Sequence, residues 1–141
     1  ASRWCRNWCD CMAERFPNVR IILDHCARPV LADGPPYLSA ASLFELARHP
    51  NVFLKLTPRV FIESRNGKAT PETFFPRLVA EFGASRLAWG SNYPSSEGTL
   101  PQILAMARQS LICLPATDQD WIFGGTARTL YPALADQEDN Q

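Results

Sequence analysis

No apolar run in this 141-residue chain approaches the roughly 18 residues that span a bilayer. An excess of basic charge is also missing, since 14 Lys and Arg meet 14 Asp and Glu. Phosphate backbones attract proteins through such an excess, so no nucleic-acid partner is expected, and no membrane partner either. Low hydrophobicity with high net charge would mark disorder; here 46% of residues are apolar and 20% charged, as in globular chains. The cysteines number five, which is not the even framework of a small secreted fold. Reduced thiols and a cytoplasmic location are the expectation. There is no G-x-G-x-x-G and no P-loop, and Gly124-Gly125-Thr126 is too sparse to cradle a phosphate. The opening Ala1-Ser2-Arg3-Trp4 has no initiator Met and no signal-peptide h-region, so the chain is expected to be entered in mid-sequence.

What is present is a repeat. Twelve prolines and seven glycines predict short elements with many connections. Pro17-Asn18-Val19 leads into the apolar run 19–23, and Pro50-Asn51-Val52 leads into 52–56. A third run covers 87–89. Each is short, apolar and bounded by Asn, Pro, Gly or Ser, which are strand signals. The segments between read as helices. Residues 3–16 place Trp4, Trp8, Cys11 and Met12 at helical spacing, with Trp4, Trp8 and Met12 as a core stripe. Ser39 caps a helix over 42–48. Thr70 and Pro71 start another that Gly83 stops, and a third spans 100–114. Asp118 caps a fourth ending near Gly124, with a short helix over 126–130. The order α-β-α-β-α-β-α-α predicts an α/β fold with a parallel sheet. Strand one, nearly all apolar, should be covered on both faces. A closed (β/α)₈ barrel needs about 250 residues. The chain is therefore either a small three-layer domain or, preferably, residues 1–141 of a partial TIM barrel whose N-terminal half is absent. Such a piece should aggregate or form a homo-oligomer, because its sheet edges stay open.

Active sites of parallel α/β folds sit at the carboxyl ends of strands. Those ends read Asp24-His25-Cys26-Ala27-Arg28, Lys55-Leu56-Thr57 and Gly90-Ser91-Asn92-Tyr93. Strand alternation points Asp24 and His25 to opposite faces, so only one enters a barrel mouth. His25 is either a candidate ligand and carbonyl-polarising group or a histidine satisfied by backbone. Asn92 orients a substrate or forms a turn, and it cannot act as a general base. The small Ala88 and Gly90 beneath it leave room for a ligand. Lys55, costly in a strand unless paired, meets either Asp24 or a residue beyond this chain. Thr57 is a candidate hydrogen-bond partner for a ligand. Cys5, Cys9 and Cys11 lack the second pair of a zinc site and read as packing or simple surface placement.

These strand ends resemble the amidohydrolase-2 family. Residues 21–29 are similar to its "LDHxGxP" strand, 51–57 to "NVxxKLS", 82–94 to "FGxxRLxWGSDYP" and 121–131 to "IFGxNAxRLY". The resemblance implies strands six to eight of a barrel, with His25 as the active-site histidine and a candidate ligand for a divalent metal such as zinc. It implies a hydrolase that opens a lactone or related cyclic ester of a small carboxylate or sugar acid. A decarboxylase is the close variant. Asn92 stands where the family has its catalytic aspartate, which leaves a non-catalytic barrel as the other reading. Thr126 replaces the closing Asn, with an effect expected only on a helix turn. Substrate contacts then fall to Arg28, Thr57, Ser91 and Tyr93. This stretch alone is expected to be inactive.

Overall fold

The computed structural model describes residues 3–134, with side chains from Trp8 onward. Three strands, β1 (Ile21–Leu23), β2 (Val52–Leu56) and β3 (Leu87–Trp89), form one parallel sheet in that order. Ile21 pairs with Val52, and Leu54 pairs with both Leu23 and Leu87. The sequence repeat is thus one strand per repeat, laid side by side. Alternation in β2 decides what faces what: Val52, Leu54 and Leu56 are fully buried, while Phe53 and Lys55 are half-buried. The first set shares one core with Leu87 and with Phe61, Phe74, Phe75 and Leu78 of the helices. Phe74 is the hub of that core, with ring centroids 5.5 Å from Tyr37 and 5.2 Å from Phe75. The opposite sheet face, carrying Ile22, Phe53 and Lys55, is less covered. Ile21, Ile22 and Leu23 are all half-buried rather than covered on both sides, because β1 is a sheet edge among the described residues.

The helices are α1 (Arg3–Arg15), α2 (Ala41–Glu45), α3 (Pro58–Glu63), α4 (Pro71–Phe82), α5 (Leu100–Ser110), α6 (Ala116–Asp120) and α7 (Thr126–Leu130). Among the described residues none is long and apolar enough to cross a membrane. Several sequence expectations need correction. In α1 the buried stripe is Cys9 and Ala13, four residues apart, whereas Trp8 is 60% exposed and Met12 half-buried. Trp4 and Cys5 lie outside the described side chains. Ser39 does not cap α2; its amide donates to Asp33 at 2.9 Å. Thr70 and Gly83 do bracket α4, but the Thr70 hydroxyl bonds Thr73 instead of a cap amide. Helix α5 starts from a capping box between Thr99 and Gln102 and ends at Ser110, short of Leu114. Helix α3 has no counterpart in the sequence reading. At six residues it is too short for its periodicity to show.

The closing helix does not stop at Gly124 and Gly125. A π-helical turn (Trp121–Gly125) joins α6 to α7, and Asp118 lies inside the first turn behind Pro115. Gly125 is small for packing, since a Cβ there would sit 2.7 Å from the Trp121 ring. Thr126 does more than hold a helix turn. It is fully buried, and its hydroxyl donates to the Ala84 carbonyl at 3.2 Å, tying α7 to the approach of β3.

The amino ends of the strands are held by polar clamps. Asn51 donates to the carbonyls of Ala13, Phe16 and Val19, fixing the end of α1 beside β1 and β2. Arg86 donates to the carbonyls of Phe82, His49 and Ala47 at 2.7, 2.6 and 2.9 Å. Burial pushes its pKa below the usual arginine range. His49 bonds the Asp10 carboxylate at 2.9 Å. With this end fixed, the carboxyl ends of all three strands share the opposite rim.

Candidate active site at the strand tips

The tip of β1 turns by an uncommon route. His25, Cys26, Ala27 and Arg28 all have φ between 51° and 56°, a left-handed turn closed by the Arg28 amide donating to the His25 carbonyl at 2.9 Å. No glycine relieves it, although "LDHxGxP" has one where this chain has Ala27. The turn persists because its neighbours hold it. Cys26 is fully buried, its Sγ 3.7 Å from the Lys55 carbonyl, and burial pushes the thiol pKa well up.

This turn overturns the expectation that Asp24 and His25 diverge. Positive φ at His25 breaks the strand alternation. Asp24 reaches Lys55, Oδ1 to Nζ 2.9 Å, and His25 Nδ1 shares a 2.7 Å hydrogen bond with Thr57 Oγ1. Lys55 and Thr57 are two apart on extended backbone, so both residues at the tip of β1 engage the same face of β2. The Lys55 ammonium beside Asp24 holds that carboxyl below the usual range. Of the two partners left open for Lys55, the fold supplies Asp24. Thr57 is fully buried and acts on the histidine, fixing its ring through Nδ1; among the described residues Nε2 has no hydrogen-bond partner.

A cavity of about 160 Å³ opens beside the ring, lined by His25, Arg28, Pro29, Arg59, Val60 and Glu63 among others. Arg59 and Glu63 lie beyond the strand ends that the sequence marks. They sit one turn apart on α3, whose start at Pro58 follows directly on β2. The strand-end rule, carried a few residues further, would have found them. Glu63 Oε1 accepts the Leu31 amide at 3.3 Å, which anchors the loop after the left-handed turn. Chemically, the cavity offers an imidazole, two guanidinium groups and a carboxylate.

The tip of β3 is a separate cluster. Asn92 is exposed, with φ of 51°, and its amide donates to Ser96 Oγ at 3.1 Å. The Ser91 hydroxyl accepts the Tyr93 amide at 3.2 Å, and Tyr93 is 58% exposed. None of the three lines the His25 cavity, and among the described residues no hydrogen bond joins Asn92 to His25. Both tips lie on the same rim, two strand spacings apart, or about 10 Å. The room expected above Gly90 is filled: a Cβ there would lie 2.8 Å from Lys55 Cε.

A catalytic zinc takes three protein ligands. His25 offers one nitrogen, Asp24 is held by Lys55, and Asn92 carries no charge. Among the described residues no three His, Cys, Asp or Glu side chains converge. These residues alone do not fit a metal centre.

Comparison with known proteins bears on the family and the fold. The chain is 39% identical over 85 residues to an L-fucono-1,5-lactonase of Burkholderia ambifaria, covering 60% of this chain and 29% of that protein. Its fold matches an amidohydrolase of Burkholderia multivorans, solved with bound zinc, at a TM-score of 0.66 and 23% identity, over 90% of this chain and 47% of that one. It also matches a Pseudomonas putida protein assigned as a 2-pyrone-4,6-dicarboxylic acid hydrolase at a TM-score of 0.67 and 20% identity, over 90% of this chain and 48% of that one. At those identities the likeness is one of fold. The chain thus spans about half of the solved relatives and less of the lactonase. The pattern of the family described as Amidohydrolase matches residues 8–133, through all three strands and the closing helices, and the chain belongs to that family.

Proposed function

We propose that this chain forms strands six to eight of an amidohydrolase barrel that hydrolyses a lactone of a small sugar acid or carboxylate. The observation that carries the reading is His25, locked by Thr57 at 2.7 Å beside a cavity flanked by Arg28 and Arg59. Water adds to the lactone carbonyl, the ring C–O bond breaks, and a hydroxy acid leaves. With the Nδ1–H donating to Thr57, His25 Nε2 is a base for the attacking water; in the other tautomer it donates to the carbonyl oxygen. Arg28 and Arg59 suit a carboxylate or the charge that develops as the ring opens. The 39% identity to a fuconolactonase supports a sugar-acid lactone as the first substrate class to assay.

A binding-only barrel is the second reading, favoured by one observation: the Asn92 amide is engaged with Ser96 inside its own turn. Assays of the protein with sugar lactones, as wild type, His25→Ala and Asn92→Asp, separate the two. The lactonase reading expects an active wild type and a loss of about 10²- to 10⁴-fold in His25→Ala. An inert wild type that gains activity as Asn92→Asp would replace it with the second.

A further inference from the structure

The Lys55 side chain occupies the middle of the open sheet face. Its ammonium meets Asp24 at the end of β1, and its stem passes over Gly90 at the end of β3, where any Cβ would fall 2.8 Å from Cε and 3.2 Å from Cγ. Gly90 donates its amide to the Leu56 carbonyl, extending the β2–β3 ladder to the residue before Ser91 and Asn92. Cys26, inside the left-handed turn, packs on the Lys55 carbonyl. So one residue touches β1 through its charge, the turn through its backbone and β3 through its stem. Within this chain the pair is 41% and 65% exposed, a setting in which an ion pair adds little to stability.

We infer that Lys55 is a positioning residue: its side chain spans the sheet face from Gly90 to Asp24 and fixes the relative placement of the two strand tips that carry Asn92 and His25. This rests on the strand-tip site proposed above and assigns a residue that acts on it without touching substrate. Asp24 directly precedes His25, and Thr57, two residues beyond Lys55, holds the other side of the ring. Losing the ammonium frees Asp24 and lets the left-handed turn move against Thr57. A methyl at Gly90 pushes the Lys55 stem aside and reaches the same state from β3. The backbone at Gly90 is not left-handed, so alanine adds no backbone strain there and the flexible Lys55 stem is what must shift.

The test uses protein labelled with ¹⁵N-histidine, with His25 and His49 signals assigned by single substitution. His49, at the amino end of the sheet, is the internal control. The expected result is that His25 ring signals move in Lys55→Met and in Gly90→Ala and stay in place in Lys55→Arg, while His49 is unmoved throughout. Gly90→Ala added to Lys55→Ala should cause no further change, because the stem it displaces is gone. With a lactone, kcat falls about 10- to 100-fold in Lys55→Met with KM little changed, and Lys55→Arg recovers most of it. Unmoved His25 signals in Lys55→Met, equal movement in Met and Arg, or additive effects of Gly90→Ala and Lys55→Ala would each overturn the inference. Where Lys55→Met fails to fold, Gly90→Ala carries the test. A wild type inert on lactones sinks the proposed activity alone, since the spectra read the site without substrate.

Discussion

Arg86 gives the sharpest stability prediction. Its guanidinium holds three carbonyls at 2.6–2.9 Å and lies 5.0 Å over the Phe82 ring. Arg86→Met keeps the apolar stem and removes the donors. The three acceptors do not suffer equally. The His49 carbonyl also accepts the Val52 amide at 3.1 Å and keeps a partner. The Phe82 and Ala47 carbonyls lie at helix ends, where no continuing helical amide serves them. Two half-buried carbonyls losing a charged donor cost about 1–3 kcal/mol each, and the lost third bond adds to this. The expected loss is about 3–5 kcal/mol, a large share of the 5–15 kcal/mol typical of a folded domain. Lysine keeps the charge but presents one compact ammonium in place of the guanidinium fork, so Arg86→Lys should still lose about 2 kcal/mol. Guanidinium chloride unfolding, followed by tryptophan fluorescence, reads both as a lower midpoint at constant slope. A loss under about 1 kcal/mol in Arg86→Met would refute the clamp.

Two further substitutions test the rim. Ala27→Gly should stabilise by about 0.5–1 kcal/mol in the same unfolding assay: a left-handed alanine costs roughly 1–2 kcal/mol, and glycine's greater unfolded-state entropy returns roughly 0.5–1. A destabilised Ala27→Gly would mean that the turn is not left-handed. Because Asp24 has a folded pKa below its unfolded value, the Lys55 pair contributes above about pH 4 and is lost as pH falls through the folded pKa. At 65% exposure that contribution is well under 1 kcal/mol, and Asp24→Asn should remove it from the acid limb of a stability–pH curve.

The sheet was legible because its signal is redundant. The run 52–56 alternates between a buried and a half-buried face, and its Pro-Asn-Val lead-in repeats that of the first strand. Thr70-Pro71 and Gly83 marked α4 because proline and glycine have few other uses there. The candidate site was legible only to the depth of strand ends. His25, Arg28 and Thr57 follow from that rule, but Arg59 and Glu63 lie on a six-residue helix with no visible period. The left-handed turn was hidden because its sequence contains no glycine, and it alone brings Asp24 and His25 onto one face. Trp8 misled because spacing shows which residues share a helix face, not whether that face meets the core. Local spacing shows Thr126 only within its helix, whereas its partner Ala84 is 42 residues away.

The central claim is that the reacting carbonyl sits against His25, inside the cavity bounded by Arg28 and Arg59. A crystal structure of the protein with a bound sugar-acid lactone or its hydroxy-acid product tests it most directly. The account predicts a ligand oxygen within about 3 Å of His25 Nε2 and the carboxylate on the two guanidinium groups. A ligand seated elsewhere, with Nε2 open to solvent, would contradict it.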